Sequence, residues 1–202
     1  MKHLIKPMTK NQVDNLVDAL VENLKYCDSN IEYPDIDKAE PDDGVIAEWF
    51  YPIYNGTNDF SELTAIHMYT SQETEFEEIG QLMLGIGLTE MKHFAKIGEM
   101  IKRLGGKIDQ RYNNSGVAIG KTTREALEIA YNAEIKTIKF YESLSEKIEK
   151  VKSTKTTEIA LQLISKLIAD ENIHKKLLED TLSEFTKEQE FVEEKIDNIS
   201  DE

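Results

Sequence analysis

A single cysteine, Cys27, occurs among the 202 residues, which excludes an intramolecular disulfide and any CxxC metal site within the chain. Only four prolines occur, Pro7, Pro34, Pro41 and Pro52, so no proline interrupts a helix after residue 52. Basic residues are few beside acidic ones: 24 Lys and Arg face 39 Asp and Glu, a formal net charge of -15. Such a surface repels nucleic acid and anionic membrane, and no local basic patch offsets it. No run approaches the ~18 uncharged apolar residues that span a bilayer, and the opening MKHLIKPMTK lacks the apolar core of a signal peptide. A cytoplasmic protein with neither nucleic acid nor membrane as partner is the expectation, and one unpaired cysteine suits reducing surroundings.

What the chain has in abundance is helical periodicity. Val13, Leu16, Val17, Leu20 and Leu24 recur at steps of three and four, which predicts an N-terminal amphipathic helix. The turn-rich acidic stretch DSNIEYPDIDKAEPDDG follows, then a short helix over VIAEWF that ends before Pro52. Four longer helices come next. The first starts near TNDFSE, with Thr57 or Asn58 as its cap, and runs to about residue 74. The second spans roughly 76–104 and stops at Gly105-Gly106, residues suited to a left-handed cap. After the loop GGKIDQRYNNSGVAIG, the third opens at Thr122, which has capping-box spacing to Glu125, and reaches about residue 150. A turn at KSTKT leads into the fourth, which extends to about residue 184. The expected organisation is an N-terminal helical extension over 1–56, an all-α antiparallel four-helix bundle over 57–184 and an acidic tail over 185–202 that frays or packs loosely.

The core-facing rows of these helices carry polar residues. In the second helix, steps of four and three give Ile79, Met83, Ile86, Glu90, His93, Ile97, Met100 and Leu104, apolar except for one Glu and one His. In the fourth, the same rule gives Ala160, Ile164, Leu167, Glu171, His174, Leu178, Thr181 and Phe185. Residues three apart share a helix face, so both members of each pair converge on one point inside the bundle. The first and third helices each add a carboxylate: Glu62, Ile66 and Tyr69 match Glu134, Ile138 and Tyr141. The chain thus reads as two helical hairpins, each with a Glu, a Tyr seven residues on, a turn, and Glu-x-x-His on the returning helix.

Spacing supports that pairing. Residue 76 lies midway between Glu62 and Glu90, and the midpoint of Glu134 and Glu171 falls between 152 and 153, so both midpoints coincide with predicted turns. Positions equidistant from an antiparallel turn lie at one height, and each hairpin therefore presents two Glu and one His at one level. Bringing the two levels together requires the connection between the hairpins to travel back along the bundle, about 40 Å for helices of about 28 residues. The sixteen residues from Gly105 to Gly120 reach ~54 Å when extended, which suffices.

Chemistry explains the pattern. Four glutamates meeting in a dry core repel one another, and holding them ionised requires positive charge of similar size. Two metal ions supply it, and carboxylate oxygens with imidazole nitrogens suit Fe or Mn. The candidate ligands are Glu62, Glu90, His93, Glu134, Glu171 and His174. Tyr69 and Tyr141 are expected to hydrogen-bond ligand carboxylates, and Asp170 to accept the ring N–H of a ligand histidine from the facing helix. His3 and His67 read as a surface residue and a packing residue, Trp49 and the WFYPIY cluster as a cover over the bundle, and Met83 and Met100 as core filler.

With these residues in place, SELTAIHMY, EMKH, AEIKTIKFYESL and DENIH resemble, in order, the four helix motifs of the ferritin-like dimetal-carboxylate superfamily, which includes rubrerythrins, bacterioferritins and manganese catalases. The FYxxL after Glu134 and the GG…RY after the second helix are rubrerythrin-like or manganese-catalase-like. The resemblance implies a ferritin-like bundle with a crossover loop, a dinuclear centre of two Fe ions (two Mn as the alternative), and oxidoreductase chemistry of the peroxidase or ferroxidase type on peroxide, dioxygen or Fe(II). Manganese catalase-like disproportionation of peroxide and iron storage are the alternatives it carries, and a homo-oligomer is expected. Thr137 stands where rubrerythrins usually place a further carboxylate, and Thr89 where a symmetric D-E-x-x-H motif would have an acid. With one cysteine there is no rubredoxin domain, so any electron donor is a separate protein.

Overall fold

The computed structural model describes residues 26–41, 44–56, 58–108 and 116–200, with side chains as far as 187. The predicted N-terminal helix lies outside the described residues as far as residue 25. Among the described residues every regular element is helical. Short 3-10 turns at Ile36–Lys38 and Ala47–Trp49 precede α1 (Tyr51–Asn55), α2 (Glu62–Glu75), a 3-10 turn at Glu77–Ile79, α3 (Gly80–Arg103), α4 (Thr123–Glu149) and α5 (Lys155–Ser200). None of the described helices is long and apolar enough to cross a membrane.

Several boundaries differ from the sequence reading, each for a local reason. Pro52 does not end a helix but sits in the first turn of α1, where its missing N–H is not needed. Ser61 caps α2: its hydroxyl oxygen accepts the Thr64 N–H at 3.3 Å while donating to the Gly56 carbonyl. Of the two caps expected, Thr57 lies outside the described residues, and Asn58 instead spends its carboxamide oxygen on the Phe60 N–H at 3.0 Å. The tail expected to fray from residue 185 continues α5 to Ser200, and neither glycine nor proline occurs after Gly120 to stop it. At the end of α3, Gly105 takes the left-handed conformation, φ 81°, as expected of a helix-terminating glycine.

The four long helices form two antiparallel hairpins, α2 on α3 and α4 on α5, and α2 faces α4 while α3 faces α5. Gln72 Nε2 donates to the Ala126 carbonyl at 3.1 Å and Thr123 Oγ1 to Glu78 at 3.3 Å, which puts the start of α4 beside the α2–α3 turn. The connection from α3 to α4 therefore runs back along the bundle. Two apolar layers fill the interior. One joins Phe50, Ile53 and Tyr54 to Ile97, Met100, Ile148 and Leu163; the other packs Met68, Phe76, Met83, Ile86, Leu127 and Leu178. Each such buried side chain contributes about 1.5–3 kcal/mol, and between the layers lies a single polar level.

The cap of α4 gives a direct test of these local rules. Thr122 Oγ1 accepts the Glu125 N–H at 3.2 Å, and Glu125 returns a bond to the N–H of Lys121 at 2.9 Å, one residue before the cap. Thr122→Ala is expected to lower stability by about 1 kcal/mol in urea denaturation with an unchanged slope; an unaltered midpoint would show that the loop, not the cap, fixes this helix start.

Candidate metal centre

The polar level consists of Glu62 from α2, Glu90 and His93 from α3, Glu134 from α4, and Glu171 and His174 from α5, each at most 3% exposed. Helix periodicity puts them there. Ile86 and Ile97 flank the pair on α3, Leu167 and Leu178 the pair on α5, and all four are fully buried. The apolar neighbours commit these faces to the core and carry the Glu and His with them.

Donor atoms of Glu62, Glu90, His93 and Glu171 all lie within 4.8 Å of one another, and so do those of Glu90, Glu134, Glu171 and His174. The two groups share Glu90 and Glu171. Each also has its own Glu and His, so the level is two matched half-sites joined by two common carboxylates. The histidine rings are 5.9 Å apart.

Ring orientation follows from the outer partners. His174 Nε2 lies 2.8 Å from the Tyr26 carbonyl, which can only accept, so this nitrogen carries the proton and donates. His93 Nε2 lies 3.2 Å from Asp170 Oδ2 in the same sense. Both Nδ1 atoms then point into the cluster. His93 Nδ1 is 3.0 Å from Glu90 Oε2 and 3.1 Å from Glu171 Oε1, and His174 Nδ1 is 2.9 Å from Glu90 Oε1 and 3.1 Å from Glu171 Oε2. Glu90 Oε1 and Glu171 Oε1 are nevertheless misaligned for hydrogen bonding and have no hydrogen-bond partner. Two buried carboxylate oxygens without hydrogen bonds, each facing a ring nitrogen, make an arrangement that a cation satisfies and a proton satisfies only in part.

Tyr69 donates to Glu134 Oε1 and Tyr141 to Glu62 Oε1, so each tyrosine reaches the glutamate of the other hairpin. His67 is exposed on α2, and Met83 and Met100 are core residues. The residues that pattern reading passed over are Tyr26, Asp28, Tyr33 and Lys166, which surround His174 and Asp170 from outside the level. One signal was present: Lys166 stands four residues before Asp170, one helical turn away.

Proton affinities follow the crowding. Burial, then the charges of Glu90 and Glu171, push Glu62 and Glu134 well above the ordinary glutamate value of 4.5. Burial alone would raise Glu90 and Glu171 as well, but the two histidines outweigh it and hold both below 4.5. For the imidazoles burial opposes the charge, yet the surrounding oxygens, those of Tyr33, Glu90, Asp170 and Glu171 for His93 and those of Glu90 and Glu171 for His174, lift both well above 6.5. Burial raises Asp170 too, but the hydrogen bond and charge of His93 and the bond from Lys166 bring it to about 2.

The sign of the pH dependence in chelator-treated protein follows. Glu62, Glu134, His93 and His174, all raised in the fold, stabilise it at low pH and lose that contribution as pH climbs toward their folded values. Above about pH 6.5 the lowered carboxylates are ionised folded or unfolded and add no slope. Metal-free protein should therefore lose stability steadily as pH rises above 6.5, and bound divalent metal should flatten that slope by taking the place of the protons. Thermal melts across this range with and without metal measure it, and parallel curves would contradict the charge assignment.

The model of the ferritin family, described as a ferritin-like domain, matches residues 61–187. A search of curated proteins finds no match. Among solved structures, the chain is similar to a bacterioferritin from Rhodobacter capsulatus, described as having a metal-free dinuclear site and a heme iron, at 24% identity. The likeness covers 73% of this chain and 89% of that one, with a TM-score of 0.62. With the family's domain matched over well over half its length and the bundle shared with a solved member, this chain belongs to the ferritin-like family.

Proposed function

We propose that the buried level holds two iron ions and that the chain is a dinuclear oxidoreductase, rubrerythrin-like, acting on peroxide or dioxygen or on Fe(II). The observation that carries this reading is the pair of overlapping quartets, in which Glu90 and Glu171 are common to both and each half adds one Glu and one inward-facing imidazole. In this reading Glu62 and His93 would hold one ion and Glu134 and His174 the other, with Glu90 and Glu171 available to both. The iron pair, when bound, supplies one electron from each ion, the two that reduction of peroxide to water consumes.

The chain's own residues do the rest. Tyr69 and Tyr141 each donate to one oxygen, of Glu134 and Glu62 respectively, and so fix the orientation of both carboxylates. The apolar layers on either side exclude bulk water. No side chain serves as nucleophile. The bacterioferritin's heme iron and dinuclear site favour iron, while the same oxygen and nitrogen donors accept manganese, in which case peroxide is disproportionated without an added reductant.

An apolar stripe on the outer face of α3 supports assembly with further copies of the chain: Leu84 and Met91 are 50% and 44% exposed, with Leu88 between them and Ala95 beyond. Light scattering is expected to give a homo-oligomer. A small one argues against storage within a shell, and a cage of many copies would favour it. The central test is elemental analysis of protein expressed with both metals present. Two iron ions per chain are expected, and Glu90→Ala combined with His93→Ala should abolish dinuclear binding; retention of two metals by that variant would sink the assignment.

A further inference from the structure

Residues 26–33 lie outside the region matched by the family model, yet they close one side of the polar level. The Tyr26 ring sits on Gly85 so closely that a Cβ there would come within 2.0 Å of it, and the Tyr26 hydroxyl donates to the Gln81 carbonyl at 3.3 Å. From this seat the backbone crosses α5. Asp28 N–H donates to Asp170 Oδ1 at 2.7 Å, and the Asp28 carbonyl accepts from Lys166 Nζ at 2.6 Å. Lys166 also donates to Asp170 Oδ1 at 2.7 Å, and the Tyr33 hydroxyl to Asp170 Oδ2 at 3.1 Å. The Tyr33 ring in turn has two ammonium groups near it, Lys92 at 4.4 Å and Lys166 at 5.2 Å from its centre.

A lysine only 3% exposed is costly to bury, and the helical bundle alone gives no reason for it. The reason is Asp170. Its Oδ1 receives Asp28 N–H and Lys166, and its Oδ2 receives Tyr33 and His93, so four donors fix one carboxylate in a single orientation. A carboxylate fixed in this way holds the imidazole beside it in one tautomer and one rotation, and it strengthens that ring as a ligand. His174, by contrast, leans on a single backbone carbonyl. The two halves of the level therefore match in their inner residues and differ in what stands behind them.

We propose that Tyr33 and Lys166 are positioning residues of the metal centre, and that through Asp170 they make the Glu62–His93 position the tighter of the two. This rests on the dinuclear reading above. The segment 26–33 is then a working part of the centre and not a linker leading up to it.

Zn(II), which is diamagnetic, is the probe. Titrated against a competing chelator, the wild-type chain should take up two Zn(II) ions of unequal affinity, and nitrogen-15 NMR should show a protected Nε2–H on each histidine. Tyr33→Phe removes one hydroxyl and leaves the ring. It should weaken the tighter ion about tenfold, leave the weaker one unchanged, and shift the His93 Nε2–H resonance but not that of His174. Lys166→Met is expected to act in the same direction and serves where the first variant folds poorly. Wild-type affinities with an unmoved His93 resonance would overturn the proposal, as would equal weakening of both ions, which is the mark of a merely structural role. Should the wild-type chain bind no Zn(II), with neither histidine resonance responding to the metal, the dinuclear reading itself fails.

Discussion

Everything in this fold answers to one constraint, that four carboxylates and two imidazoles share a level from which water is excluded. Fully deprotonated, the level carries four negative charges, and leaving even one of them unbalanced at this depth costs several kcal/mol. The raised Glu62, Glu134, His93 and His174, set against the lowered Glu90 and Glu171, show how the crowded level divides its proton affinity: the first four hold protons more tightly than free side chains do, and the last two less tightly. In the dinuclear reading, two divalent ions would supply four positive charges to set against the four carboxylates.

The internal repeat gives the level its shape. Glu62 and Glu134, Tyr69 and Tyr141, and the two Glu-x-x-His pairs stand in equivalent places on the two hairpins. Because the hydroxyls of Tyr69 and Tyr141 cross to the opposite hairpin, the hairpins are joined by hydrogen bonds at the level as well as by apolar packing above and below it. The symmetry ends at one position. Asp170 precedes Glu171, whereas Thr89 precedes Glu90 and turns its hydroxyl back to the Gly85 carbonyl at 3.3 Å. Among the described residues a carboxylate therefore stands behind His93 alone.

The level was legible in the sequence because helices repeat: a Glu and a His three apart within an otherwise apolar row face inward wherever the row does, and a turn midpoint fixes their height. Rows beginning at Ile79 and Ala160 run through the core as expected, apart from the partial exposure of Thr181 and Phe185. Helix ends were less legible. Ser61, Asn58 and Thr57 all suit a cap, and which of them acts depends on where the incoming chain points, a tertiary matter. The supports behind the histidines were least legible of all. Asp28 and Asp170 are 142 residues apart, and Asp28 and Tyr33 belong to a stretch with no hydrophobic period, so no local rule links them to α5.

The count of donors bears on what the centre can do. Each half-site has four residues, two of its own and two shared, whereas Fe and Mn in oxygen-rich surroundings commonly take up to six donors. A further carboxylate at position 137 would have narrowed that gap, but Thr137 directs its hydroxyl to the Ala133 carbonyl of its own helix at 3.1 Å. Among the described residues each half-site thus keeps four residues. A carboxylate at that position would have added a fifth acid to a level that already sets four carboxylates against two imidazoles.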